Sequence, residues 1–335
     1  MKTLIDKSLN AFIGMIAFAA VLLLAPQRAS AQYRAGIYDR EIPVTEFTGV
    51  NVANDFEVTV TRGSYGVHLS VDEELAPYVE IYVKARVLNI SYDEKSVPKD
   101  LRKLYKGRNG LVPTFRVVVY TPELSSVTLW DNVTLTGTDE FATSDFELIM
   151  TDHSLVNNLT VKASSAKLSL KKNAQATLNL KTDRGVEAET GNNANLKFSY
   201  TGGDLTLTAE GSSIISADGG PCSAMNLYAS NSAELNVSSE AKNVELTAEG
   251  SSRVTLTGKA TEMKVTGSRN ATVDAFSMPV EKVDADLAGN SYVTVNVSKK
   301  VSATLVGGSA LYFSGTPEFQ IGKIVKSTLA PYGTK

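Results

Sequence analysis

The sequence predicts an all-β protein built as a parallel β-helix, because it is organised as a repeat of short alternating strands. Seven segments align without gaps around a central turn, from "VEAETGNNANLKF" at Val186 to "VSATLVGGSALYF" at Val301. The small residue after each turn recurs every 18 to 20 residues, at Ala194, Ser213, Ala233, Ser252, Ala271, Ser291 and Ser309. This period is too short for paired helices, and it fits one coil of a β-solenoid that contains two short strands.

Each copy alternates between apolar and polar residues, which is the pattern of a half-buried strand. Leu205 and Leu207 alternate with Thr206 and Thr208, and the other copies follow the same parity. Stacked coils would gather the apolar set into one continuous core. The residues expected inside that core include Leu205, Leu246, Val265, Leu287 and Leu305. Because each coil contacts only its neighbours, the ends of such a stack need covers.

The turn in each copy is marked by residues that adopt a positive φ at low cost. The position two before the small residue holds Asn192, Gly211, Asn231, Gly250, Arg269, Gly289 and Gly307. Arg269 is the exception to this preference for Gly or Asn. The next position carries Asn or Ser in six of the seven copies. Stacked side chains of these types predict a hydrogen-bonded ladder along the solenoid.

Residues 1–31 have the organisation of a secretory signal peptide. Lys2 and Lys7 give a positive start, an apolar stretch covers residues 11–24, and Ala-Ser-Ala at 29–31 forms a small-x-small cleavage site. The apolar stretch is shorter than the ~20 residues that a membrane-spanning helix needs. The sequence therefore predicts an exported chain that begins at Gln32 and has no transmembrane helix. It would reside in the periplasm, at the cell surface or in the medium.

The exported chain divides into an N-terminal extension over residues 32–43, a β-helical domain over residues 44–318 and a C-terminal tail over residues 319–335. The alternating segments between residues 45 and 120 are longer and less regular than the later coils. We expect them to form the N-terminal part of the solenoid, as a cap with some antiparallel pairing. Residues 94–113, "EKSVPKDLRKLYKGRNGLVP", interrupt them as a basic surface insert with a short helix near Lys99–Tyr105.

Three stretches resemble the GIN-domain family, a group of exported auto-transporter adhesin heads abundant in Bacteroidetes. They are "VTEFTGVNVANDFEVTVTRG" from Val44, "VVVYTPELSSVTLWDNVTLTG" from Val117 and "SATLVGGSALYFSGTPEF" from Ser302. The resemblance covers about Val44 to Pro317. It implies a right-handed parallel β-helix, export and a role in adhesion, and it brings no catalytic or cofactor-binding residues.

The composition argues against several classes of function. A net charge of −3 lacks the basic footprint of a nucleic-acid binder. One Cys and two His exclude Cys-rich zinc sites and leave little material for a His-based metal cage or a catalytic triad. Cys222 is expected in a loop without a basic partner, and His68 and His153 are expected on a strand surface and in a turn. We therefore expect no cofactor and no metal.

The acidic residues also favour a protein that is not an enzyme. Asp284 and Asp286 lie two apart on one predicted strand, so both point outward. This is typical of a solvated strand face, whereas a glycoside hydrolase needs two carboxylates that converge on one bond. A polysaccharide lyase or glycoside hydrolase on the same scaffold is the alternative.

The leading hypothesis is binding or adhesion at the cell envelope, with a glycan or an envelope protein as partner. A few rigid aromatic or Arg side chains usually dominate recognition. The candidate anchors are two outward tyrosines on the last coils and four cations of the insert: Tyr292, Tyr312, Lys99, Arg102, Lys103 and Lys106. A purely structural, self-assembling envelope protein is a further alternative, and a homo-oligomer is compatible with either role.

Overall fold

The computed structural model describes residues 36–105 and 110–333, which are almost entirely β-structure. The expected signal peptide over residues 1–31 and the candidate anchor Lys106 lie outside the described residues. From Ile37 onward, the strands join one hydrogen-bonded sheet system that coils into a β-solenoid of about ten turns. The predicted parallel β-helix is confirmed.

The N-terminal end contains the less regular strands, a 3₁₀ turn at Ala76–Tyr78 and the helix α1 (Lys99–Tyr105). The strands are β1 (Ile37–Ile42), β2 (Gly49–Val52), β3 (Glu57–Arg62), β4 (Gly66–Asp72), β5 (Val79–Lys84), β6 (Val87–Tyr92) and β7 (Phe115–Thr121). Strand β4 pairs antiparallel with both β1 and β7, and β5 pairs antiparallel with β6. The expected antiparallel pairing at this end is confirmed.

The next coils build two ladders of parallel strands. The first ladder contains β8 (Ser126–Leu129), β11 (Asp145–Met150), β13 (Ser165–Leu170), β15 (Gly185–Thr190), β17 (Asp204–Ala209) and β19 (Cys222–Ala229). The second contains β9 (Thr134–Gly137), β12 (Leu155–Lys162), β14 (Gln175–Lys181), β16 (Asn195–Tyr200) and β18 (Ile214–Gly219), while the short β10 (Glu140–Ala142) pairs with β12. Within each ladder a strand pairs in parallel with the equivalent strand of the next coil.

The later coils are made of long strands that run through the second ladder and bend into the first. These are β20 (Glu234–Ala248), β21 (Arg253–Gly267), β22 (Thr272–Leu287) and β23 (Tyr292–Val306). The stack ends with β24 (Ala310–Ser314), β25 (Glu318–Val325) and β26 (Thr328–Pro331). Strand β25 pairs with β23, and β26 pairs with β24, so most of the segment after residue 318 forms the last coil.

The register aligns the apolar residues in columns that run along the solenoid. One such column, the Leu246 column, consists of Leu207, Leu227, Leu246, Val265, Ala285, Ala303 and Ile321. The six members of this column that precede Ile321 are at most 3% exposed. The five residues predicted to lie inside, Leu205, Leu246, Val265, Leu287 and Leu305, are all 0% exposed, which confirms the predicted register.

The turns confirm the predicted left-handed backbone at the six Gly and Asn positions, and Arg269, the expected exception, adopts it as well. Arg269 has φ 63°, close to the 61° of Asn231 two coils earlier. Lys172 holds the same turn position in an earlier coil, with φ 60°. A Cβ on Gly250 would lie 2.9 Å from the backbone of Asn231, and one on Gly289 would lie 2.8 Å from that of Arg269. Stacked coils therefore impose the turn conformation even on a residue that does not favour it.

The ladder expected beside the turns forms where Asn side chains stack. Asn193 Nδ2 donates to Asn173 Oδ1 at 3.3 Å, and Asn290 Nδ2 donates to Asn270 Oδ1 at 3.2 Å. His153 occupies the same column one coil before Asn173, and its Nε2 lies 3.3 Å from Asn173 Nδ2. His153 is thus a turn residue, as the sequence predicts.

Candidate ligand-binding surfaces

The two candidate tyrosines lie together on the outer face of the last coils. Tyr292 begins β23 and is 39% exposed, while Tyr312 lies half-buried in β24 on the next coil. Their ring centroids are 5.3 Å apart with an interplanar angle of 37°. This separation is typical of stabilising aromatic pairs. Partial burial raises the pKa of the Tyr292 hydroxyl, with smaller contributions from the nearby Tyr312 and Tyr332 hydroxyls.

Two further rings, Phe276 and Tyr332, extend this surface, and the sequence did not predict either of them. Their centroids lie 4.6 Å apart. Phe276 lies on a bulge of β22, where the pairing with β23 shifts register between Ala275 and Pro279. Tyr332 follows β26 and is 53% exposed. Its backbone N–H donates to the carbonyl of Phe313 at 2.7 Å, which fixes the position of the ring on the stack. We refer to Phe276, Tyr292, Tyr312 and Tyr332 as the aromatic surface.

Polar groups lie among these rings. Asp274 Oδ1 accepts a hydrogen bond from Thr294 Oγ1 at 2.7 Å and another from the backbone N–H of Phe276 at 3.1 Å. Thr294 is directly opposite Tyr312 in the register of β23 and β24. The aromatic surface therefore combines flat apolar faces with hydrogen-bonding groups held in place by their neighbours.

The basic insert places three of its four candidate cations on α1, and one of these three, Lys103, contacts a carboxylate of the same helix. Lys103 Nζ contacts Asp100 Oδ1 at 3.3 Å. Arg102 is half-buried beside a pocket that Tyr92, Tyr105 and Asn54 also line. Burial raises the pKa of Tyr92 to about 12, and the Arg102 charge acts against this rise. Lys99 is exposed at the start of the helix. Of the three cations on α1, Lys103 is therefore the one whose charge a neighbouring carboxylate offsets.

The structure does not bring the two sets of anchors together. Helix α1 belongs to the N-terminal end, whereas the aromatic surface belongs to the last coils. Roughly ten strand spacings of about 4.8 Å separate them along the solenoid. One small ligand cannot contact both sets.

The strand faces between these ends carry charges that pair across coils. Lys264 lies 2.9 Å from Glu245, and Lys282 lies 2.8 Å from Glu262. Exposed pairs of this kind contribute little to stability, in the range of ~0–1 kcal/mol. Over residues 36–105 and 110–333, no group of three or more His, Cys, Asp and Glu is arranged to hold a metal ion. In the same ranges, no helix combines the length and apolarity needed to cross a membrane.

His68 forms a clamp between β4 and β1. Its Nε2 lies 2.6 Å from Asp39 and its Nδ1 lies 2.9 Å from Glu41. The hydrogen bond with Glu41 is the main cause of a raised pKa for His68, and Asp39 adds to it. The expectation of a surface strand residue is confirmed, and the contacts of His68 add side-chain links to the backbone pairing between β1 and β4.

The expectation that Cys222 is a loop thiol is wrong. Cys222 begins β19, is 8% exposed, and lies 3.9 Å from Ser239 Oγ. That hydroxyl in turn accepts a hydrogen bond from Tyr200 at 2.7 Å. Burial raises the pKa of the Cys222 thiol, which suits an inert core residue.

The stacked coils and outward anchors define a parallel β-solenoid whose candidate sites lie on its outer faces. The chain belongs to the family described as "Putative auto-transporter adhesin, head GIN domain", whose model matches residues 46–224 and 176–317. This confirms the resemblance seen in the three sequence stretches.

Several solved structures are similar to the chain. They include a "putative adhesin" from Parabacteroides distasonis (17% identity, TM-score 0.40) and one from Parabacteroides merdae (16%, 0.38). A "putative lipid binding protein" from Parabacteroides distasonis also matches (14%, 0.32). Each match covers 89% of this chain and 97% of the other. No functionally curated protein matches the chain.

Proposed function

We propose that this protein is an exported, non-enzymatic binding protein of the cell envelope that holds a glycan at the aromatic surface. The observation that supports this most is the grouping of four aromatic rings on the outer face of the last coils. Aromatic rings offer large, rigid contact area at low entropic cost, and such residues dominate binding energy at interfaces. Membership of an adhesin-head family is consistent with this role.

The chemistry of the surface favours a sugar over a charged partner. Sugar rings present apolar C–H faces that pack on aromatic rings, and their hydroxyls donate to acceptors such as the exposed carboxylate of Asp274. Asp274 is a single carboxylate already engaged in two hydrogen bonds. A glycoside hydrolase would require a second carboxylate at about 5–9.5 Å. The proposed site thus has the components for binding without those for hydrolysis.

A glycan-binding screen of the purified protein, followed by titration of each hit at low and high salt, tests the proposal. Tyr292→Ala combined with Tyr312→Ala should weaken binding at least about tenfold, as expected for loss of two central anchors. Tyr82→Ala is the matched control, because Tyr82 is an outward tyrosine of β5 that is 49% exposed at the other end of the stack. It should leave affinity unchanged.

Salt separates the aromatic surface from the basic insert. Binding through the rings should change little with ionic strength, whereas binding through α1 should weaken, because exposed charges are screened beyond ~8 Å at physiological salt. Affinity that survives loss of both tyrosines but falls on replacement of Lys99, Arg102 and Lys103 by Ala contradicts the proposed site. Shortened products of the glycan after incubation would instead indicate the enzymatic alternative.

Export of the protein can be tested separately. N-terminal sequencing of the protein recovered from periplasm, cell surface or medium should begin at Gln32. Recovery of the full-length chain, residues 1–31 included, in the cytoplasm would contradict export.

A further inference from the structure

The last coil of the solenoid exposes residues that occupy core positions in every coil before it. Phe319, Ile321 and Ile324 of β25 lie in register with Val301, Ala303 and Leu305 of β23. The three residues of β23 are at most 3% exposed, whereas those of β25 are 45%, 44% and 40% exposed. Their register places them in the columns of the core. They are exposed because no other described residue covers them.

Strand β25 also has a free hydrogen-bonding edge. Over the described part of the chain, it pairs with β23 on one side and with no strand on the other. A long apolar edge strand is a template for pairing with another chain, and proteins normally cover or charge such edges. All eight residues of β25 are exposed, so this edge is accessible along its whole length.

Over the part of the chain that the structure describes, the opposite end of the solenoid does not offer a matching surface. Its outermost strand β1 carries Asp39, Arg40 and Glu41 in succession, and β4 beneath it keeps Val67, Leu69 and Val71 at most 3% exposed. Charges on an edge strand discourage pairing. A head-to-tail stack of copies would therefore place a charged, closed end against an apolar, open one.

We propose that two copies of this chain pair through β25, edge to edge and antiparallel, about a two-fold axis at Gln320. The outward residues of β25 are Glu318, Gln320 and Lys323, which lie opposite Lys300, Ser302 and Thr304 of the preceding coil. Gly322 is an extra residue of β25, because the pairing with β23 passes from Ile321 to Lys323 without it. With Gly322 left out of the count, an antiparallel pair centred on Gln320 sets Glu318 of each copy opposite Lys323 of the other. It also sets Phe319 against Ile321 on the inner side. The strand is thus complementary to itself in both charge and apolarity.

The symmetry of this arrangement limits its size. A two-fold contact uses the same surface on both copies and leaves none free for a third. The dimer would give the apolar end a cover and would hold two aromatic surfaces in one assembly. This proposal concerns assembly, so it stands or falls independently of the glycan proposed above.

Sedimentation of the purified protein over a range of concentrations tests the stoichiometry. We expect a reversible monomer–dimer equilibrium. A protein that stays monomeric at every concentration, or one that forms larger assemblies without a limit, overturns the proposal. Ile321→Lys should abolish the dimer, while Ile37→Lys, at an apolar residue of β1 that is 50% exposed, should leave it intact. Thermal melts of both variants establish that each remains folded.

Charge reversal tests the register. Glu318→Lys or Lys323→Glu alone sets like charges opposite each other twice, and each should raise the dimer dissociation constant about tenfold or more. The double variant restores opposite charges and should return to within about threefold of the wild type. Single variants that dimerise as well as the wild type overturn the antiparallel pairing.

A cysteine at the symmetry axis provides a direct check. Gln320→Cys should form an intermolecular disulfide on mild oxidation, because facing residues of paired strands lie within disulfide reach. Ser302→Cys is the matched control, since Ser302 occupies the same outward column one coil earlier. The native Cys222 is buried and should not compete. Equal cross-linking of the two variants, or none at position 320, contradicts the proposal.

Discussion

The two ends of the solenoid differ in whether the last layer of the core is covered. At the N-terminal end, strands reverse direction, and bulky rings such as Phe56 and Phe115, 5.1 Å apart, fill the interior. At the C-terminal end, the described residues finish in parallel coils, and Phe319 is 45% exposed. A repeat specifies the contacts between neighbouring coils, but it does not specify how the first and last coils are covered. Closure therefore requires a segment that departs from the repeat, and within residues 36–105 and 110–333 such a segment lies at the N-terminal end.

Substitution by Asp within the Leu246 column should show the largest difference in stability loss between the middle of the stack and its open end. Leu246→Asp buries a carboxylate among Leu227 and Val265, and we expect a loss of about 4 kcal/mol or more, which prevents cooperative folding. Ile321→Asp places the same group at the exposed end of that column and should cost less than about 1 kcal/mol in dilute solution. Thermal and denaturant unfolding followed by circular dichroism measures both.

The control for Leu246→Asp is Thr247→Asp, which adds the same charge on the outer face of the same strand. It should unfold near the wild-type temperature. A Leu246→Asp protein with an unchanged melting temperature would contradict the continuous core.

A second comparison sets the closed end against the open one. Phe56 is 0% exposed, and Phe56→Ala should destabilise the protein by about 3–5 kcal/mol, as for other buried Phe residues. Phe319→Ala removes an equally large ring that is about half exposed, and it should cost well under half as much. Equal losses in denaturant unfolding would mean that the two ends are packed alike.

The turns provide a third, smaller effect. Gly250 and Gly333 both have a positive φ, at 72° and 86°. A Cβ at Gly250 would meet the backbone of Asn231 at 2.9 Å, whereas a Cβ at Gly333 would meet nothing within 4 Å. Gly250→Ala should therefore destabilise by about 1–3 kcal/mol, while Gly333→Ala carries only the conformational cost. Melting temperatures that fall equally would show that crowding between coils does not matter.

The smallest effect should come from the His68 clamp that holds β1 on the closed end. The pKa of His68 is raised above its ordinary 6.5, so its stabilising contribution is complete below that value and is lost as pH rises through the folded pKa. The pairs are exposed and screened, which keeps the contribution small. Unfolding at pH 5.5 and pH 8.5 should show a stability decrease that His68→Gln diminishes. An unchanged pH dependence in that variant would exclude the clamp.

The candidate anchors show where sequence reasoning succeeded and where it stopped. The outward parity of Tyr292 and Tyr312 follows from the repeat, so their proximity on adjacent coils was predictable. The position of Phe276 was not predicted because a bulge in β22 shifts the register. That of Tyr332 was not predicted because this residue follows the last recognisable copy of the repeat. The cations of α1 were visible as a cluster, but the contact of Lys103 with Asp100 depends on side-chain positions that a spacing does not specify.

The sequence by itself determined the coil. Alternation with period two separates inside from outside within each strand, and Gly or Asn marks each left-handed turn, because both are local properties of the backbone. Tertiary structure alone decided the conformation of Arg269, which adjoining coils impose, and the burial of Cys222. It also decided the solvent exposure of Phe319, Ile321 and Ile324. Their pattern is that of core residues, but exposure depends on whether another layer lies above them, and no local pattern encodes the neighbour that is missing.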